Sequence, residues 1–548
     1  MQPKTCKTCP LRMEEPVLSE SHDDDRVILL GEAPALHETF EGRPFVGPGG
    51  IELQRALNSL DVRRDECYLV NAIRCRPPKN DLEAMNIAVS RRNRKREKKA
   101  KEEGTEVVRL RRPGDACRSL LYEELEASGI TKIICMGKWA AKAIRGGDSS
   151  IMSVRGGCEE IPAPWNPNIT LQVGYTMHPD FVMRVSSYRE VFRHDLAKAF
   201  RFFEGKLEWE DPKTIRTADP EVVAAFLSKM QAQGRAVAYD LETDGINPMT
   251  ANIRCVGIGD VDEALIVEIR SIHGHMLCSS DNEEILKDQM REFFTKPGIP
   301  ILGHNAGQYD RLCMEAWIGI TPDLRCDSIL LHLLADNELP HNLGFVGSFY
   351  TDNPEAWKAN HTAVEARTDE ELHIYCGKDV AVTARVAKPL MKDVVSRRQH
   401  HLLGREHTLQ HIGTTMQTNG MAVDQEKVME HMLVLDKAAK ESLEVCKSIA
   451  GAKFNPNSTQ QMAALLFNSW GLAPHHYSEK TGDPSTDDET LRTMIVHYGL
   501  IADRVTFLRS VRVYRKMSKL LGTYIRPLAE GQVTRIHPSY NRLPATGR

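Results

Sequence analysis

The sequence predicts a multidomain α/β protein, two α/β domains in succession and then a mostly helical segment. Three observations lead there. The chain has 548 residues, more than one hydrophobic core accommodates. Short apolar strands alternate with helical stretches twice over, and from about residue 395 long amphipathic segments take over while strand signals become scarce. Hydrophobic content of 41% and charged content of 27% are ordinary for a folded soluble chain. No apolar run approaches the ~20 residues of a membrane helix, and the N-terminus MQPKTCKTCP lacks the apolar core of a secretion signal. A soluble, cytoplasmic protein is the expectation. In such a compartment thirteen cysteines suggest metal where they cluster and packing where they scatter. A net charge of -4 selects no partner class.

In residues 1–205 the strands VILLG (27–31), CYLVNAI (67–73), KIICMG (132–137) and ITLQVGY (169–175) predict a parallel sheet covered by helices. A basic insert, 80–113, interrupts them; within it residues 91–101 carry eight Lys/Arg against one Glu, read as a solvated helix face or as phosphate contacts. The polar stretch Glu204 to Pro220 reads as a separator. Residues 206–395 then supply AVAYDLE, IRCVGIGD, ALIVEI and IPILGHN with helices between them, and 396–548 form the helical segment.

The second domain holds the sharpest signal. Asp240 and Glu242 end an apolar strand two residues apart, so both carboxylates share a face and repel each other unless a cation lies between them. A strand running into a helix delivers Asp310, and a further helix places Tyr375 and Asp379 one turn apart. Four carboxylates and a phenol suit two-metal phosphodiester cleavage, in which oxygen ligands hold two hard cations. This ordered set resembles the proofreading 3'-5' exonuclease domain of family A DNA polymerases, in the branch whose third motif is Tyr-x-x-x-Asp. The resemblance implies an RNase H-like α/β domain acting on single-stranded 3' ends. It makes Asp240, Glu242, Asp310 and Asp379 ligands of two Mg²⁺ (or Mn²⁺) ions, Tyr375 the group that orients the nucleophile, and Asn305 a support for Asp310. Asp244 and Asp327 are read as structural.

In the first domain, Cys6 and Cys9 by themselves could mean zinc, redox chemistry or chance. The motifs Gly31-Glu-Ala-Pro34, Glu41-Gly-Arg-Pro-Phe-Val-Gly47, Asn71, Arg74-Cys-Arg-Pro-Pro78 and Thr176-Met-His-Pro-Asp180 together resemble a family 4 uracil-DNA glycosylase, the iron-sulfur type. That implies a three-layer α/β/α domain that flips a uracil out of DNA. Phe45 would stack on the base, Asn71 would distinguish uracil from cytosine, His178 would donate to the uracil oxygen as the bond breaks, and Glu32 and Glu38 would place or activate water. Cys6, Cys9, Cys75 and Cys117 match the holders of a [4Fe-4S] cluster, with zinc as the runner-up. Two departures stand out: the insert widens the gap before Cys117, and Ala35 replaces the family's usual glycine, so uracil binding without cleavage stays open.

The last segment, from Met416-Gln-Thr-Asn-Gly to Ala545-Thr-Gly-Arg548, is similar to the thumb and first palm strands of a family A polymerase. The resemblance makes Lys516, Tyr524 and Arg548 candidates for primer-template contacts and Asn455 and Ser458 a helix cap region. The palm and fingers motifs that hold the polymerising metals do not follow Thr-Gly-Arg548. DNA synthesis is therefore expected only with a separate chain that carries them, the gene being split or this polypeptide a truncated fragment, and the fused glycosylase suggests a viral polymerase. The contrasting expectation is a uracil-sensing DNA-binding module that serves as a scaffold for a polymerase subunit.

Overall fold

The computed structural model describes residues 4–360, 366–478 and 482–540. They belong to two compact units, Met1–Ile412 and Gly413–Arg548. The first unit contains two sheets. Its five-stranded sheet has the order β2-β1-β3-β5-β4, with β1 (Val27–Gly31), β2 (Cys67–Asn71), β3 (Lys132–Met136) and β5 (Asn166–Thr176) parallel and β4 (Cys158–Ala163) antiparallel to β5. The sheet is thus mixed where a parallel one is predicted: β4, Cys-Glu-Glu-Ile-Pro-Ala, is a polar edge buried only at its two ends, and such a half-exposed strand suits an antiparallel edge. Both faces are apolar and covered, one by the Arg189–Phe203 helix and the other by the helices around Leu121 and Ile144.

The second sheet has the order β11-β10-β7-β8-β9-β6. β7 (Val237–Thr243), β8 (Ile253–Gly259) and β9 (Glu263–Glu268) form an antiparallel meander; β10 (Ile301–Gly303) pairs in parallel with β7 and with β11 (Leu324–Asp327). The stretch expected to be a separator contributes an element: β6 (Lys213–Thr217) lies parallel to β9. It escapes a hydrophobicity reading because it is a polar, half-exposed edge strand, Lys-Thr-Ile-Arg-Thr. The long Asp369–Ser396 helix crosses this sheet. Gly257 permits the close approach, since a Cβ there would stand 2.7 Å from Cys376 Sγ and 2.8 Å from Val380. Leu339 and Phe345, from the second domain, are buried in the first domain's core.

The basic insert is the Leu82–Glu103 helix, capped by Asp81. The chain then turns back along it: Asn93 exchanges two hydrogen bonds with Leu110, at 2.9 and 2.8 Å, and the Arg111 N–H reaches Thr8.

In the second unit the Gln425–Ala450 and Ala502–Leu520 helices pack around a core that includes Cys446, Phe454, Met462, Leu491, Phe507 and Val511. A two-stranded ribbon, β12 (Met421–Ala422) with β13 (Arg535–Ile536), completes it. Among the described residues no helix is long and apolar enough to cross a membrane.

Candidate active sites

The acid site forms where β7 meets the Asp369–Ser396 helix. Asp240 pairs in register with Gly257 and Glu242 with Cys255, and a register shift follows Glu242, so the strand's twist delivers both carboxylates to one end of the sheet. Asp310 enters from the first turn of the Tyr309–Ile318 helix, and Asp379 with Tyr375 from the crossing helix. Glu242, Asp310 and Asp379 are buried, while Asp240 keeps some exposure at the mouth. Loss of water, then the charges of Asp379 and Asp310, push Asp240 well above the usual carboxylate range; Glu242 rises from burial and from Asp240. Burial holds Asp310 at about 7, opposed by backbone N–H groups that include Leu241's. Ligand atoms of Asp240, Glu242 and Cys376 lie within 4.8 Å of one another, a spacing one cation can bridge.

Two residues that sequence reasoning missed also reach this site. Trp357 Nε1 donates to Asp379 Oδ1 at 2.8 Å. Lys358 donates to the Tyr375 hydroxyl at 2.5 Å, forms an ion pair with Asp379 and lies over the Tyr375 ring, 4.2 Å from its centroid. Its ammonium supplies positive charge among these acids; burial works against that charge, but Asp379, Tyr375 and Asp240 together raise its pKa. No spacing in the sequence ties Trp357 and Lys358 to the acids, so no pattern flagged them.

Asn305 does not support Asp310. Its backbone is left-handed, φ 61°, its side chain is exposed, and its N–H donates to Asp327 at 2.7 Å. The fully buried Asp327 caps the Ser328–Ala335 helix and also binds the Gly307 N–H and Gln410 Nε2. Asp244 accepts from the backbone and side chain of Asn252.

In the first domain, the carboxyl ends of β1, β2 and β5 converge on a narrow pocket lined by Ala33, Ala35, Glu38, Phe45, Asn71 and His178. Phe45 is buried with a left-handed backbone, φ 54°, and its ring stacks beside that of His178 with centroids 6.2 Å apart. Gly31 makes room for this: a Cβ there would stand 2.5 Å from the Phe45 ring and 2.4 Å from Asn71 Oδ1. That Oδ1 is buried without a hydrogen-bond partner, a state costing about 1–3 kcal/mol unless a ligand relieves it. His178 Nδ1 accepts from the Asp180 N–H at 3.2 Å, which leaves the proton on Nε2. Glu38 binds the Ala35 and Gly47 N–H groups, at 3.1 and 2.8 Å, and so ties together the loop that carries Phe45. Glu32 turns aside from the pocket: its carboxylate accepts from the Trp139 N–H at the start of the Lys138–Arg145 helix.

Cys9, Cys117 and Cys75 pack in one small cluster with Ile73 and Leu82, and Cys6 lies one short turn before Cys9. Burial, then the neighbouring Cys117, Cys9 and Cys6, push Cys75 up to about 12. The insert therefore returns Cys117 to its partners despite the long gap. Cys67 and Cys135 are core residues.

In the second unit Lys516 and Tyr524 are exposed, Ser458 caps the Thr459–Ala463 helix and Asn455 Oδ1 binds the Asn457 N–H. Arg548 lies outside the described residues.

Two α/β domains, each with a polar site at the ends of its strands, define a multidomain α/β enzyme. Residues 18–203 match the uracil DNA glycosylase superfamily, 215–395 the 3'-5' exonuclease family and 425–548 DNA polymerase family A. Among relatives, the type-4 uracil-DNA glycosylase of Pyrobaculum aerophilum is 30% identical over 211 residues, 37% of this chain and 91% of that protein. Its counterpart from Thermotoga maritima is 29% identical over 206 residues, with the same shares of 37% and 91%. DNA polymerase I of Synechocystis sp. is 28% identical over 364 residues, 62% of this chain and 35% of that protein. The chain belongs to the uracil-DNA glycosylase superfamily over its first two hundred residues, and a family A polymerase exonuclease domain and polymerase segment follow. It spans about a third of the length of the polymerase I relative. All three families handle DNA.

Proposed function

We propose that the chain removes nucleotides from single-stranded 3' ends at the acid site and excises uracil from DNA at the first-domain pocket. The observation that carries the nuclease reading is that Asp240, Glu242, Asp310 and Asp379, from three separate elements, lie close enough for their charges to act on one another, with Tyr375 beside Asp379. Burial pushes Asp240, Glu242 and Asp310 up, so these carboxylates call for protons or metal, and the four carboxylates would suit two Mg²⁺ or Mn²⁺ ions, which would stabilise the attacking and leaving oxygens. Tyr375 would orient the attacking water. In the pocket, the unpartnered Asn71 amide would read the uracil edge, Phe45 would stack on the ring, and His178 Nε2–H would donate to the oxygen that gains charge. Glu38 would act by shaping the loop, and Glu32 by holding a helix start.

The four N-terminal thiols we assign to an iron-sulfur cluster. Cys9, Cys75 and Cys117 share one small buried cluster and Cys6 precedes Cys9 by one turn, a four-thiol set that suits such a cluster. In the second unit Lys516 and Tyr524 would touch the primer-template backbone; a second polypeptide with palm and fingers is a proposal that copurification tests.

The deciding experiment uses 5'-labelled single-stranded DNA with Mg²⁺ or Mn²⁺. Wild type should shorten it from the 3' end and Asp240→Ala should not; an inert wild type sinks the nuclease reading. On uracil-containing DNA the protein should leave alkali-labile sites, lost in Asn71→Ala. Intact strands after long incubation would reduce the first domain to a uracil reader, and a colourless, zinc-loaded protein would remove the cluster.

A further inference from the structure

Before it reaches the acid site, one stretch of the exonuclease domain, residues 348–358, runs along the glycosylase domain. Three of its backbone carbonyls, those of Ser348, Thr351 and Asn353, accept from a single ammonium, Lys198 Nζ, at 3.2, 3.1 and 2.6 Å. Lys198 belongs to the last helix of the glycosylase domain and is fully buried. A buried ammonium must be hydrogen-bonded, and here the strap supplies the acceptors. On the same helix Arg201 grips Asp352 with two bonds of 2.8 Å. Arg155, buried against Asp195, donates to Ser348 Oγ at 2.9 Å, and the Cys158 N–H donates to the Pro354 carbonyl at 2.7 Å. Gly157 leaves space for the strap, since a Cβ there would stand 3.2 Å from the Ala356 Cβ. Directly beyond these anchors come Trp357, whose indole N–H holds Asp379, and Lys358, which holds Tyr375.

We propose that the glycosylase domain completes the exonuclease site: Lys198 and Arg201 are positioning residues that fix the 348–358 strap, so that Trp357 and Lys358 hold the Asp379 carboxylate in place within the acid site. The inference rests on the two-metal nuclease reading above. A group that holds a metal ligand from behind typically governs metal affinity or activity by about 10–100-fold, and Trp357 stands in that relation to Asp379. Lys198 acts one step further out. Without it three carbonyls would remain in a dry interface with no donor, and the strap would leave to find water.

The test uses the full-length protein and reads Mn²⁺ binding directly by electron paramagnetic resonance, beside 3' trimming and uracil release. Trp357→Phe and Lys198→Met should each weaken Mn²⁺ binding about 10–100-fold and lower kcat for trimming, with the KM for DNA unchanged and uracil release within twofold of wild type. A Mn²⁺ affinity within twofold of wild type in Lys198→Met overturns the proposal, even if Trp357→Phe is weakened, because the strap would then hold its place unaided. If Lys198→Met loses uracil release as well, the fold has failed, and Arg201→Ala, which removes only the Asp352 grip, decides by the same measurement. A wild type that binds no Mn²⁺ sinks both this proposal and the nuclease reading; a wild type that binds and trims, beside unaltered variants, sinks this proposal alone.

Discussion

Asp310 shows the tension that the acid site imposes on single residues. Burial holds its carboxyl at about 7 against an ordinary 3.8, so between those values the folded protein keeps a proton that the unfolded chain has released. The fold binds more protons than the unfolded state across that window, and stability of the metal-free protein must therefore fall as pH rises from about 4 to 7. With chelator at pH 7.5, Asp310→Asn should be more stable than wild type, by on the order of 2–4 kcal/mol, and inactive in trimming. At pH 4 the two should converge. Denaturant melts at the two pH values check this, and an Asp310→Asn protein no more stable at pH 7.5 would show that the acids are relieved by another route, such as Lys358. Asp240, Glu242, Tyr375 and Asp379 could be picked out in the sequence because two periodicities, two on a strand and four on a helix, put them on common faces. Asn305 and Glu32 rest on family resemblance, not on periodicity. Their neighbours in the chain suggest a site, but a left-handed backbone turns one to solvent and a helix start captures the carboxylate of the other.

At the scale of elements, apolar strands were legible and polar ones were not. β1 announces itself as a run of Val, Ile and Leu and β7 by its apolar start, Val-Ala-Tyr, whereas β6 is an edge whose polar side chains face water and whose pairing with β9 is visible only in three dimensions. The basic insert is a third kind of case: its charge was plain, its return path was not. Arg91, Arg92, Arg94 and Lys95 are exposed on the Leu82–Glu103 helix, and the chain beyond that helix comes back to the cysteine cluster at Thr8. If the helix follows a DNA backbone into the uracil pocket, replacing these four with Ala should lower the salt dependence of binding, with the log-log slope falling by up to about 3 for a single strand. Titration of uracil-containing DNA at several salt concentrations measures it. An unchanged slope would make the helix a solvated face.

At the scale of the whole molecule, composition distinguishes three stretches, while contacts draw one boundary, at residues 412 and 413. The glycosylase and exonuclease domains share buried material: Leu339 and Phe345 sit in the first domain's core, and Lys198 spends its hydrogen bonds on the second domain's strap. Such sharing is invisible to a reading that takes the two domains one at a time, because the joint appears only when both are folded together. It has a consequence for truncation. A protein of residues 1–412 should fold, trim 3' ends and release uracil as the full chain does. A protein beginning at residue 206 loses the cover over Leu339 and Phe345, about 3–6 kcal/mol for two large apolar side chains, against a typical domain stability of about 5–15 kcal/mol. It also frees the strap that bears Trp357. We expect this second protein to melt well below the first and to trim at least tenfold more slowly at a temperature where it is still folded. Thermal melts and trimming rates on the two proteins give the comparison. Equal melting temperatures and equal rates would mean that the exonuclease domain is self-sufficient and that the shared core is incidental to its activity.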